Sequence, residues 1–251
     1  MILDEIVRRT QKRVEKLPAE FPKTNGFRHA SLEAAIRSAQ AKNPVIAEIK
    51  CASPSGGVIR RNVDMGMMAG VLADGGCTGI SVLTEPYFFG GSCGDIAKVK
   101  AAVRVPVLRK DFVVDLRQVA ETRALGADAM LLIAAVLKDR LPEFVEAVYA
   151  AGLEPLVEVH NAEEIGRVLK TKAQLIGINN RDLTTMTIDR STTRKLSELV
   201  RVQGRLVVSE SGMRSADDVR ELRPYCDAFL IGSSIMADKR PDKKLGEFLC
   251  A

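Results

Sequence analysis

Eight short β-prone apolar runs, each followed by a stretch of helical or turn character, recur along the 251-residue chain. They lie at 45–50, 79–83, 106–110, 129–133, 154–159, 174–178, 205–209 and 227–231. Their spacing, roughly 25 residues, leaves room for one strand, one helix and two connections, the unit of a parallel crossover. Helical stretches are read at 64–74, 116–125, 141–151, 162–169 and 216–222. Gly126 and Gly152 mark helix ends, and Asp115 and Ser215 are expected N-caps. Eight such units can close into a barrel or lie open as a doubly wound sheet. Polar residues recur at the C-terminal ends of many different runs, whereas an open sheet gathers its ligand groups at one switch point. No GxGxxG follows the first run. The expected fold is therefore α/β, a single (β/α)8 TIM barrel domain covering 1–251.

About 43 residues precede the first run. Ile2, Leu3, Ile6, Val7, Val14 and Leu17 fit one helical stripe, and 32–39 fits a second helix. This N-terminal helical extension, about 1–43, is expected to plug one mouth of the barrel.

Composition narrows the function classes. Hydrophobic residues at 46% and charged residues at 27% suffice for a large core without staples. The cysteines, Cys51, Cys77, Cys93, Cys226 and Cys250, are odd in number and form no CxxC, which argues against a disulfide framework or a zinc site. A reducing, cytoplasmic setting is expected. The longest unbroken apolar run, 129–137, is far short of a membrane span. Asp4 and Glu5 sit where an export signal would be basic or apolar. The net charge of +5 is dispersed and aromatics are 4%, so no nucleic-acid surface is expected. The expected partner is a small phosphorylated anion, and the expected assembly a monomer or weak homodimer. Neither metal nor cofactor is expected.

Side chains alternate faces along a strand. Ile46, Glu48 and Lys50 therefore share a face, as do Leu108 with Lys110, Leu156 with Glu158, Leu175 and Gly177 with Asn179, and Leu206 and Val208 with Glu210. Each face begins apolar and ends polar. Glu48, Lys50, Lys110, Glu158, Asn179 and Glu210 thus ring the C-terminal rim of the lumen, where barrels of this kind hold their chemistry. Partly desolvated charges of both signs shift one another's pKa values toward acid–base use.

Ser211-Gly212 after the seventh run and Gly232-Ser233 after the eighth suit an oxyanion, since glycine lets backbone N–H groups approach it. Loops after the seventh and eighth strands are the usual phosphate site of such barrels. The loop after the first run, 52–57, carries Ser53, Pro54 and two glycines and reads as a mobile lid. Phe89, Phe112, Leu131 and Leu183 near the same rim could pocket a flat ring. Cys51 faces away from Lys50 and reads as structural; His160 reads as a loop residue, neither base nor ligand.

The segments AEIKCASPSGG, SVLTEPYFFGGS, VLRKDF, GADAMLLI, PLVEVH, GINNRDL, SESG and FLIGSS follow in this order. Together, from about 44 to 236, they resemble the indole-3-glycerol-phosphate synthases. The resemblance implies a cofactor-free carboxy-lyase of tryptophan biosynthesis that closes an indole ring. It implies Lys110 as general acid, Glu158 as its partner and the stabiliser of a cationic intermediate, and Glu48 and Lys50 in the later proton transfers. Asn179 and Ser53 would position the substrate, Glu210 would support the reacting groups from behind or make a polar contact, and Arg181 would bind an anionic group. Ser211, Gly212, Gly232 and Ser233 would hold the phosphate. Two readings compete: a sugar-phosphate isomerase or Schiff-base lyase on the same cradle, and a non-catalytic anion-binding barrel.

Overall fold

Residues 2–22, 28–39, 42–54 and 56–251 are described by the structure, a computed structural model. Ser55 of the expected lid, and residues 1, 23–27, 40 and 41 of the extension, lie outside the described residues.

Each of the eight apolar runs forms a strand within one or two residues of its expected limits. They are β1 (Val45–Ile49), β4 (Gly79–Leu83), β5 (Val107–Lys110), β6 (Ala129–Ile133), β7 (Glu154–Val159), β8 (Leu175–Asn179), β9 (Leu206–Glu210) and β10 (Ala228–Ile231). All pair in parallel, and β1 joins both β4 and β10, so the sheet closes on itself. The loop after β1 folds into a small antiparallel hairpin, β2 (Ala52–Ser53) with β3 (Gly57–Val58).

Strand alternation sorts the apolar side chains into two cores. Ile46, Leu108, Leu131, Leu156, Leu175, Leu206, Val208 and Leu230 fill the lumen. Val45, Ala47, Ile49, Ile80, Val82, Val157, Ile176 and Val207 point outward against the helices. The outer core packs α3 (Met65–Asp74), α4 (Gly94–Ala102), α5 (Arg117–Ala124), α6 (Ala134–Leu137), α7 (Leu141–Ala150), α8 (Ala162–Val168), α9 (Ser191–Arg201), α10 (Ala216–Leu222), α11 (Ser233–Ala237) and α12 (Pro241–Leu249). Local signals set several helix starts. Asp64 accepts from Met67 N, Asn161 from Glu164 N, and Ser215 forms a capping box with Asp218. Asp115 stands one place before the observed N-cap, Leu116, yet its Oδ1 still accepts from Arg117 N at 2.8 Å.

The extension serves both mouths of the barrel rather than one. Before α2 (Leu32–Ser38), Ser31 Oγ accepts from Ala34 N. The Glu154 carboxylate at the start of β7 takes Leu32 N at 2.7 Å and Glu33 N at 3.0 Å, satisfying orphan donors of the helix start. Leu32 and Ile36 are buried in the lumenal core, and Leu32 packs against Gly79 at the start of β4, so α2 closes the N-terminal mouth. Helix α1 (Ile2–Val14) lies at the other end. Ile6 joins the lumenal core, and Arg13 grips Asp111, just past β5, through two 2.8 Å hydrogen bonds.

Candidate active site

At the C-terminal ends of the strands opens a cavity of about 450 Å³. Glu48, Lys50, Lys110, Glu158 and Asn179 reach it from β1, β5, β7 and β8 or the residues just beyond them. Ser53, Pro54, Phe89, Phe112, Leu131, Arg181 and Leu183 also line it, as do Ser211, Gly212, Gly232 and Ser233. The sequence reading of the rim departs from the structure at Glu210. It is fully buried and does not line the cavity; its carboxylate lies beneath, against Lys110. The space it occupies is the one a side chain at Gly177 would need. Gly232 likewise leaves room for Glu48.

The charges interlock. Lys50 Nζ lies 2.6 Å from Glu48 Oε1. Lys110 Nζ sits 2.7 Å from Glu210 Oε2, 3.5 Å from Glu48 Oε2 and 3.8 Å from Glu158 Oε2. Burial alone would discharge Lys110, but Glu210, Glu48 and Glu158 outweigh it and hold the ammonium protonated far above the usual lysine range. Burial also opposes ionisation of Glu48, and Lys50 and Lys110 overcome it, holding that carboxyl below its ordinary value. Glu158 is held low against burial by His160, Lys110 and Asn179. Asn179 Oδ1 accepts from Arg181 N at 3.0 Å, which orients its amide on this rim.

Burial, with Glu158 and Glu48 nearby, pushes the Glu210 carboxyl up to about 7 in spite of Lys110. Its Oε1 has no hydrogen-bond partner among the described residues.

Beside the charged rim, between β1 and β8, lie the loops after β9 and β10, with Gly232 against Glu48. Ser211 and Gly212 both take positive φ, 64° and 95°, so the backbone turns sharply as it leaves β9. A side chain at Gly212 would also strike Ile188 and Arg190. Ser234 Oγ donates to Met213 O at 2.9 Å and ties the two loops together. The guanidinium of Arg181 donates to Met186 O at 3.0 Å. On the apolar side, the Phe89 and Phe112 rings lie 6.1 Å apart, and Ile2, Leu3 and Ile6 of α1 add a wall.

Two lining features and one contact behind the lining escaped the sequence reading. Helix α1 contributes to this cavity, Arg214 lines it close to Gly212 in sequence, and His160 lies 3.3 Å from Glu158. Helix periodicity signals a buried stripe on α1 but not its destination. Among the described residues no group of three or more His, Cys, Asp or Glu side chains could hold a metal ion, and no helix is long and apolar enough to cross a membrane.

Comparison with known proteins adds a family to this geometry. A profile of indole-3-glycerol phosphate synthase matches residues 3–248. An indole-3-glycerol phosphate synthase of Methanocaldococcus jannaschii is 39% identical over 248 residues, covering 98% of this chain and 91% of that one. That of Endomicrobium trichonymphae is 41% identical over 256 residues, covering 98% and 99%. That of Azospirillum brasilense is 48% identical over 196 residues, covering 76% and 74%. Among solved structures, a tryptophan synthase of M. tuberculosis superposes with a TM-score of 0.64 at 14% identity, covering 88% of this chain and 98% of that one. KGPDC from Streptococcus mutans gives 0.62 at 14% identity, covering 83% and 96%. At such identity these two speak for the barrel fold alone.

Proposed function

The chain belongs to the indole-3-glycerol phosphate synthase family, and from that premise we propose how its rim divides the labour of closing an indole ring. The enzyme is a carboxy-lyase of tryptophan biosynthesis. Its reaction converts 1-(2-carboxyphenylamino)-1-deoxyribulose 5-phosphate into indole-3-glycerol phosphate, CO₂ and water. The observation that carries the division of roles is the meeting of two surfaces in one cavity: interlocked Glu–Lys pairs and, beside them, the glycine-bearing loops after β9 and β10.

The phosphate sits against Ser211, Gly212, Gly232 and Ser233, and the aromatic ring lies among Phe89, Phe112, Leu131 and Leu183. Arg181 takes the ring's carboxylate, and Ser53, Pro54 and Asn179 hold the chain between. The ring carbon bearing the carboxylate then attacks the ketone carbon. As that C–C bond forms, the carbonyl electron pair moves to oxygen, which takes a proton from Lys110. A lysine held so far up is a weak acid. Its first contribution is positive charge beside the growing oxyanion, and the proton follows as the oxygen becomes basic. The ring is now an iminium-type cation, and the Glu158 carboxylate stabilises it. Breaking the C–CO₂ bond returns an electron pair to the ring and restores aromaticity. In the last step Lys50 protonates the departing hydroxyl, and Glu48 removes the proton from the carbon next to nitrogen. Two protons are delivered and one is recovered. The net uptake of one balances loss of the carboxylate as neutral CO₂. Glu210 sets the position and charge of Lys110 from beneath.

This reading needs no metal or cofactor. It has the chain act as a monomer or weak homodimer in the cytoplasm, on a small phosphorylated anion and not on nucleic acid. The test is indole fluorescence from purified chain and substrate with nothing else added. Lys110→Ala should abolish the signal, a loss of at least about 10³-fold, with the thermal transition retained. Undiminished turnover by that variant removes Lys110 from the acid's role.

A further inference from the structure

His160 has no part in the chemistry above, yet it is the next titratable side chain out from Glu158. Its position is over-determined. Its backbone N donates to Glu164 Oε2 at 2.8 Å, and its ring Nδ1 lies 3.2 Å from the same oxygen. Glu164 is itself pinned: its Oε1 accepts from Asn161 Nδ2 at 2.8 Å, and its N–H donates to Asn161 Oδ1 at 2.9 Å. The ring is thus fixed against the first turn of α8, with its other nitrogen, Nε2, at ion-pair distance, 3.3 Å, from Glu158 Oε1 and without a hydrogen-bond partner among the described residues. The side chain is only 12% exposed.

A neutral imidazole has one N–H and one lone pair. In this position either tautomer would turn the lone pair onto a carboxylate oxygen, at Glu158 or at Glu164. Only the imidazolium turns a lone pair toward neither carboxylate. We propose that His160 is a positioning residue for the reaction: as a permanent imidazolium between Glu164 and Glu158 it orients the Glu158 carboxylate toward the lumen, keeps it ionised, and so sets the acidic limit of turnover.

The groups facing this chain of three can be named. Lys110 of β5 lies on the lumenal side of Glu158, and the Asn179 amide approaches from β8. Glu210 of β9 adds negative charge near Glu158, and Asp182, in the loop after β8, feels the His160 charge. Burial works against the imidazolium, but Glu158 and Glu164 outweigh it and raise the ring to about 10. Among the described residues Lys110 is the only other cation paired with Glu158, so removing the imidazolium takes away one of two charges that keep this buried carboxylate ionised.

The chain has only two histidines, His29 and His160, so ring-labelled histidine gives a two-signal NMR spectrum that can be read directly. At pH 8 one ring should be doubly protonated, and that signal should vanish in His160→Gln. A spectrum with both rings neutral at pH 7 overturns the proposal, whatever the enzyme's activity. The kinetic arm rests on the acid–base role given to Glu158, and the NMR arm does not, so failure of one reading can be told from failure of the other. In His160→Gln the acidic limb of the kcat profile should move up by about one pH unit, which is tenfold less turnover on the acidic side. KM should stay within about threefold, and kcat should match the wild-type value once the pH is two or more units above the shifted limb. Glu164→Gln, which keeps the hydrogen-bonding frame of α8, should move the limb the same way by less, and it stands in if the first variant does not fold. A limb that stays in place, or a loss equal at every pH, assigns His160 to structure alone.

Discussion

A hydrogen atom stands where Gly232 would carry a Cβ, and the side chain of Glu48 fills the space. Gly177 bears the same relation to Glu210. The sequence reads Gly232 as room for an oxyanion and Gly177 as one position of a lumenal strand face, but their use here is volume, which depends on a neighbouring strand. Gly232→Ala should shift the Glu48 carboxylate and lower kcat by about 10²-fold, the usual cost of a displacement near 1 Å, at an overpacking cost of about 1–3 kcal/mol. Steady-state kinetics beside a urea titration measure both; unchanged kcat would mean that Glu48 relaxes freely. The rim itself could be read in advance because alternation is a property of the backbone: once a run is a strand, Glu48, Lys110, Glu158 and Asn179 must share the lumenal face. His160 could not, since its meaning comes from Glu164 folding back from α8. Arg109 was equally hidden. It points outward from β5, where an apolar side chain is expected, and is fully buried against Asp111, Glu121, Thr84 and Thr122.

At the scale of elements, Arg13 is the link between α1 and the chemistry. Its partner, Asp111, follows Lys110 directly and also receives Thr84 and Arg109. Burial would raise the Asp111 carboxyl, but Arg109 and Arg13 hold it below its ordinary range. Arg13→Ala should loosen α1, and with it the wall made by Ile2, Leu3 and Ile6. KM should rise by about 3–10-fold, with kcat changed less, and stability should fall by about 1–3 kcal/mol because Asp111 keeps its other partners. Equal loss in kcat and kcat/KM would contradict a wall that acts mainly on binding. The strands and several helix starts were legible because apolar runs and capping residues act locally. The place of α1 and α2 was not, since a stripe says that a face is buried and not against what. Helix α4 is hard to read for another reason: Lys100 on its inward side is buried against Asp128, which breaks the apolar pattern.

For the whole molecule, the crowded rim makes stability depend on pH. Glu210 is raised from 4.5 to about 7 in the folded chain, so between those values the native state holds a proton that the unfolded state has lost. Its contribution therefore falls as pH rises from about 4.5 through about 7, by about 3 kcal/mol at most. Glutamine mimics the protonated form. Urea unfolding of wild type and Glu210→Gln should give similar stability at pH 5, with the variant gaining relative to wild type by pH 8. A difference that does not change with pH would mean that Glu210 stays ionised throughout.

The sheet that carries these charges is also a partition. Lumenal and outward side chains of the same strands belong to different cores, and the peptide backbone stands between them. Descendants of this chain can therefore rewrite the few lumenal positions that hold the reacting groups while the outer shell goes on specifying the same barrel. Novelty of reaction and persistence of architecture are separately heritable here, one on each side of a wall a single strand thick.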